Sequence, residues 1–199
     1  YIHESSFDFP ETLLGSVRQE TIHLYTNAVS VMAHGLNFDP AVIFSSEDLS
    51  AYANINRKTL EYDLDRQYNN KVKALYASIL EFISKAQTHL PEDDSNRLFE
   101  LRDACLGIVS SVKEIKHLRK NIAVYIHSDN QDIRHEYNNL RVQIAEMLRE
   151  IHNLEQADED ERDILALDAF KLDISEDNVI ATGKLDTLIR DGKISAIMA

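Results

Sequence analysis

Apolar residues recur along this chain with the helical period, at spacings of three and four, and the polar breaks between the periodic stretches are few and short. Residues 1–9 read as an irregular leader. Asp8 as a cap and Pro10 near the first helical position then open a helix that runs to about His34, where Gly35 suits the left-handed terminal position. Residues 36–46, with Asp39-Pro40, form a connection. Ser45, Ser46, Glu47 and Asp48 open a second helix, whose apolar positions Val72, Leu75, Ile79 and Ile83 lead to Leu90, and Pro91 stops it. Asp93, Asp94 and Ser95 restart the chain as a third helix to about His127, about 50 Å long. After a turn at Ser128-Asp129-Asn130, a fourth helix carries Tyr137, Leu140, Ile144, Met147, Ile151 and Leu154 on one face. The acidic run from Asp158 to Asp163 reads as a solvated junction. Shorter helices follow at about 160–172 and 176–190, the latter opened by a capping-box-like Asp173-x-x-Glu176. The pattern predicts an all-α fold, a bundle of five or six antiparallel helices forming one domain. A three-helix unit over 10–127 carries a second helical unit over 128–199.

Composition supports this reading: 3 prolines and 5 glycines in 199 residues leave little turn chemistry for a β-rich fold. The single cysteine, Cys105, excludes an internal disulfide and suits a reducing compartment. A net charge of −13 argues against general nucleic-acid binding, because there is no broad basic surface to displace phosphate counterions. The longest apolar runs, such as Ile122–Ile126, fall far short of the roughly 20 residues that span a bilayer. A start at Tyr1 and an apolar end over Ile194–Ala199 suggest a piece of a longer protein.

One pattern occurs twice: Glu20-x-x-His23-Leu24-x-x-Asn27 and Glu114-x-x-His117-Leu118-x-x-Asn121. Written as heptads, the third helix places Leu101, Ile108, Ile115 and Ile122 at a, and Ala104, Leu118 and Tyr125 at d. Cys105, Val112 and Ile126 take e, a line interrupted by Arg119. The first helix places Val17, Leu24 and Val31 at d with Thr21 and Ala28 at a. In both helices the motif's Glu and Asn then flank the apolar stripe at g, with His just outside at c, and Lys113, Lys116 and Lys120 point to the solvated side. Glu and His one turn apart are spaced as two ligands of one ion would be. With 16 Glu and 8 His, a single E-x-x-H arises by chance about once, so the shared Asn is what sets the pair apart. The same residues also serve as boundary groups with local hydrogen bonds, which needs no ligand. A weaker echo links Tyr68-Asn69-Asn70 with Tyr137-Asn138-Asn139.

The segment Ser111–Ile122, with Leu101-Arg102-Asp103 upstream, resembles the helix of PhoU-like proteins that carries Glu-Arg-Ile-Gly-Asp before an Asn-Ile. More closely, three stretches look like the soluble region that follows the membrane part of bacterial sodium/phosphate cotransporters. They are Val112–Asn121, Ile133-Arg134-x-Glu136-Tyr137-Asn138-x-x-Arg141, and the tail Leu188-Ile189-Arg190 followed by Lys193-Ile194-Ser195. The resemblance covers the chain from about residue 11 onward. It implies a PhoU-like helical bundle on the cytoplasmic face of the bacterial inner membrane. There it regulates phosphate transport, with the transporter's transmembrane part as partner, phosphate as a candidate ligand, and a homodimer as a candidate assembly. When the Asn-Ile pairs are aligned, the family's glutamate becomes Lys113 and its aspartate His117. That exchange removes carboxylate charge. The metal expectation therefore shifts from multi-iron clusters to a site of Glu20, His23, Glu114 and His117 suited to zinc, nickel or iron, which would weaken below about pH 6.

Two other classes compete. A ferritin-like di-metal enzyme needs a carboxylate from each of two further helices. Glu61 or Asp65 qualifies on the second, but the fourth offers only Glu136, Glu146 or Glu150 at the edges of its stripe, and no nucleophilic triad or glycine-rich phosphate loop is present. The chain therefore reads as a non-enzyme. The other alternative is a ligand-free interaction module whose acidic surface meets a basic loop.

Overall fold

The computed structural model describes residues 10–56, 61–86, 90–156 and 184–195. They form α1 (Pro10–Gly35), α2 (Pro40–Ile43), α3 (Leu49–Ile55), α4 (Leu64–Gln67), a π-helical segment (Tyr68–Lys73), α5 (Ala74–Ala86), α6 (Glu92–Tyr125), α7 (Gln131–Gln156) and α8 (Lys184–Arg190), and no strand occurs among the described residues. The all-α expectation holds for them. The leader at 1–9, the junction at 158–163, the helix at 160–172 and the cap at 173–176 lie outside the described residues. No described helix is long and apolar enough to cross a membrane.

The chain divides into two compact units interleaved in sequence, Tyr1–Gly35 with Glu61–His117 and Leu36–Leu60 with Leu118–Ala199, whereas the sequence reading put its boundary between residues 127 and 128.

In the first unit, α1 buries Val17, Thr21, Leu24, Ala28 and Val31 at the a and d positions of its heptads, and Leu13 just outside them at g, while Leu14 at a is half-buried. Thr21 is tolerated there because its hydroxyl donates to Val17 O at 2.9 Å and meets Cys105 Sγ at 3.4 Å. The segment from Leu64 to Ala86 runs antiparallel to α1. His34 stacks on Tyr62 with ring centroids 3.8 Å apart, while Asn27, one helical stretch earlier, reaches Lys71. Helix α6 runs the same way as α1, because Thr21 meets Cys105 and, further along both helices, Gly35 meets Ile115. Gly35 does not take the left-handed conformation expected of it. That role falls to Asn37, at φ 63°. Gly35 is required for close approach instead, since a Cβ there would lie 2.5 Å from Ile115 Cγ2.

The single second helix expected from Ser45 to Leu90 is two separate elements. Asp48 caps α3 by accepting from Ala51 N at 3.0 Å, and the helix ends at Asn56. Asp63 caps the restart by accepting from Arg66 N at 3.0 Å. Capping by Asp48 and by Asp63 starts each element separately. Within the π segment, Lys71 O accepts from Asn27 Nδ2 of α1 at 3.3 Å.

In the second unit, α2 and α3 lie on α7. The core holds Phe38, Ile43, Leu49 and Ala53 with Ile122, Ile126, Ile133, Ala145 and Leu148. Asn130 caps α7 through Oδ1, which accepts from Asp132 N at 3.0 Å and Ile133 N at 3.3 Å. Its Nδ2 donates to Lys193 O at 2.8 Å and so ties down the tail. That tail closes α8 with paired bonds, Gly192 N to Ile189 O at 3.0 Å and Lys193 N to Leu188 O at 2.9 Å, around Gly192 at φ 67°.

The buried faces of α6 and α7 are rotated from their apolar stripes. On α6 the line Leu98, Cys105, Val112 and Ile126 is fully buried, while Ala104 is exposed and Leu101 half-buried. Lys116, expected in solvent, is only 23% exposed, pairs with Asp65 Oδ1 at 2.6 Å and lies 4.3 Å from the Tyr68 ring centroid. On α7 the centre of the buried face is Asn138, Arg141 and Ala145, and Leu140, Ile144, Met147 and Ile151 are half-buried.

Candidate functional site

The four residues proposed as metal ligands all belong to the first unit. Glu20 and His23 are together: His23 Nδ1 is 3.4 Å from Glu20 Oε2, with the imidazole 61% exposed and the carboxylate 18% exposed. Glu114 and His117 are exposed one turn apart on α6. Because Thr21 is level with Cys105, Glu20 and His23 sit near that level. Glu114 and His117 lie 9 and 12 positions beyond Cys105. That offset is about 14–18 Å along the axis at about 1.5 Å per residue. The structure thus brings each E-x-x-H pair onto one face of its own helix and does not bring the two pairs together. Among the described residues no group of three or more His, Cys, Asp or Glu side chains is placed to hold a metal ion. Asp65, the carboxylate a di-metal enzyme would borrow from the second helix, is engaged by Lys116.

The motif's asparagines have clearer work. Asn27 Nδ2 donates to Lys71 O in the π segment. Asn121 hydrogen-bonds the Tyr137 hydroxyl, the tyrosine of the second Tyr-Asn-Asn echo. The repeated Asn is therefore a polar tie to a neighbouring helix in both copies. Cys105 is buried, and burial pushes its thiol above the ordinary range against a smaller opposing effect of Thr21, so it is no thiolate nucleophile.

The strongest electrostatic feature is one the apolar stripes concealed. Arg141 is fully buried, and no carboxylate pairs with it among the described residues. Its Nη2 donates to Ala53 O at 2.6 Å, its Nε to Asn138 Oδ1 at 3.0 Å, and its Nη1 to Leu36 O and Asn37 O, both at 3.5 Å. The guanidinium carbon lies 5.2 Å from the Phe38 ring centroid. Burial pulls its pKa down to about 10, Tyr52 opposing and Arg119 adding, so it remains charged at neutral pH. Two further arginines on α7 play the same part. Arg149 donates to Ile43 O at 2.7 Å, Val42 O at 3.0 Å and Glu47 O at 2.9 Å, and Arg134 donates to Ser128 O. From α6, Arg119 Nη1 donates to Asn37 Oδ1 at 3.1 Å. Of these acceptors, the backbone carbonyls of Leu36, Val42, Ile43, Ala53 and Ser128 lie in the last turn of, or just past, α1, α2, α3 and α6, where helices carry partial negative charge. The visible signal was arginine at positions 134, 141 and 149 of one helix, on or beside its apolar stripe.

A groove of about 610 Å³ lies in the first unit, lined by Leu14, Gly15 and Arg18 of α1 and Arg97, Glu100, Leu101 and Ala104 of α6.

Comparison with family models, curated proteins and solved structures finds no match.

Proposed function

We propose that the chain is a PhoU-like regulatory domain of a sodium-dependent phosphate transporter, working by docking on the transporter's membrane part from the cytoplasmic side. The observation that carries this reading is where the resembling segments fall. Ile133–Arg141 supplies Arg134, Asn138 and Arg141, which fasten helix ends in the second unit, and the Lys193 carbonyl of the tail is held by Asn130. Two of the three stretches that resemble the cotransporter region thus supply residues that shape this unit. The separation of Glu20 and His23 from Glu114 and His117 favours docking over a metal-gated device. Docking biases transport only if the domain binds two transporter states with different affinity.

The test is sodium-driven uptake of labelled phosphate by vesicles holding the membrane part of such a cotransporter, with and without the purified chain on the cytoplasmic side. A saturable change in uptake, matched by binding to the same vesicles, is the expected result. Absence of both binding and effect sinks the proposal.

A further inference from the structure

We propose that the α1/α6 groove of the first unit is a docking site for an acidic amphipathic helix of a partner protein. The inference is independent of the transporter reading. Gly15, Arg18, Arg97, Glu100 and Ala104 are all exposed, so this is an open trough between two helices running the same way, suited to a third helix laid along it. Its floor is apolar, with Leu14 and Leu101 half-buried, and the same faces continue into Ile22, which is 43% exposed, and half-buried Ile108. The groove lies on the a/d edge of α6 that the rotated packing leaves uncovered among the described residues.

Charge identifies the occupant. The chain carries −13 overall, yet this groove holds two arginines against one glutamate, and neither Arg18 nor Arg97 has an ion-pair partner among the described residues. Unpaired cations beside an apolar trough on an otherwise acidic protein match a helix with leucine-like anchors flanked by Asp or Glu. They disfavour a basic helix and a second copy of the same acidic chain. Gly15 provides a clean handle, because a Cβ there meets nothing within 4 Å.

The experiment measures fluorescence anisotropy of two synthetic helical peptides of about 18 residues, with the same leucine pattern on Glu or Lys backgrounds. The Leu/Glu peptide binds the intact chain and the Leu/Lys peptide does not. Gly15→Trp, which fills the trough, and the double change Arg18→Glu with Arg97→Glu each weaken binding by about tenfold or more with an unchanged melting temperature. Failure of the Leu/Glu peptide to bind, equal binding of the Leu/Lys peptide, or indifference to both substitutions overturns the proposal. So does a dimer in sedimentation that Gly15→Trp dissociates, since the occupant would then be a second copy. Arg102→Glu, a reversal outside the groove, leaves binding unchanged; a loss there equal to that of the groove variants refutes the local claim.

Discussion

Replacing Arg141 by methionine removes one donor group from four acceptors without leaving a large cavity. The two close acceptors, Ala53 O at 2.6 Å and Asn138 Oδ1 at 3.0 Å, each lose about 1–3 kcal/mol when left buried without a donor. The two at 3.5 Å are worth about 1 kcal/mol each, so the gross loss is about 4–8 kcal/mol. Against this, the charge is no longer desolvated. The depression of its pKa to about 10 from an ordinary 12.5 corresponds to roughly 3 kcal/mol. The net expectation is a destabilisation of about 3 kcal/mol, a large share of the total for a domain of ordinary stability. Arg141→Lys keeps the desolvated charge but has no planar fork to reach acceptors on several elements, so it is at least as damaging. Urea unfolding at constant m-value measures both, and hydrogen exchange should show the α3 amides opening first. A methionine variant within about 0.5 kcal/mol of the parent, or rescue by lysine, refutes the carbonyl-clamp account.

Gly35→Ala places a methyl 2.5 Å from Ile115 Cγ2 and costs about 1–3 kcal/mol despite better helix propensity, with Ile115→Val relieving part of it in a double-mutant cycle. Gly15→Ala, where the new Cβ meets nothing, stabilises by about 0.5–1 kcal/mol in urea unfolding. Burial raises the Cys105 thiol above its ordinary 9.0 and the Tyr137 phenol above its ordinary 10.0. The native state thus holds protons that the unfolded chain releases. Stability is full below those ordinary values and falls as pH rises past them toward the native-state values, and Cys105→Ala removes the earlier part of the decline in urea titrations across the alkaline range. Treatment with a chelator, or addition of zinc, nickel or iron, leaves the melting temperature unchanged within about 1 °C, as measured by calorimetry. A rise abolished by the His23→Ala, His117→Ala pair would restore a metal role.

The long helices α1, α6 and α7 were legible because their signals are local: Pro10, Gly35 and Pro91 near the ends, and heptads that on α1 match the buried set from Val17 to Val31. Other features were hidden because they depend on distant partners. The buried line of α7 passes through Asn138 and Arg141, and that of α6 through Arg119, so ranking positions by apolarity turns both helices toward the wrong centre. Arg141 is buried there because helix ends remote in sequence offer it carbonyls, which no reading of one helix alone contains. The E-x-x-H-L-x-x-N pair was visible as a repeat, but its chemistry was read from Glu and His, whereas Asn27 and Asn121 make the interhelical contacts. The end of α3 at Asn56 and the restart capped by Asp63 carry only local signals, which a single helix from Ser45 to Leu90 passes over.

The arginines of α7 also set a schedule. Helices α2 and α3 are 4 and 7 residues long, too short to persist by themselves, and their capping donors lie 106 and 88 positions later in the chain. At a ribosomal pace of about 5–20 residues per second, that leaves these turns waiting roughly 4–21 seconds for the side chains that complete them. A newborn chain stalled before residue 141 therefore presents Phe38, Ile43 and Leu49 without their cover, which makes this interval the window in which a chaperone or protease meets the protein.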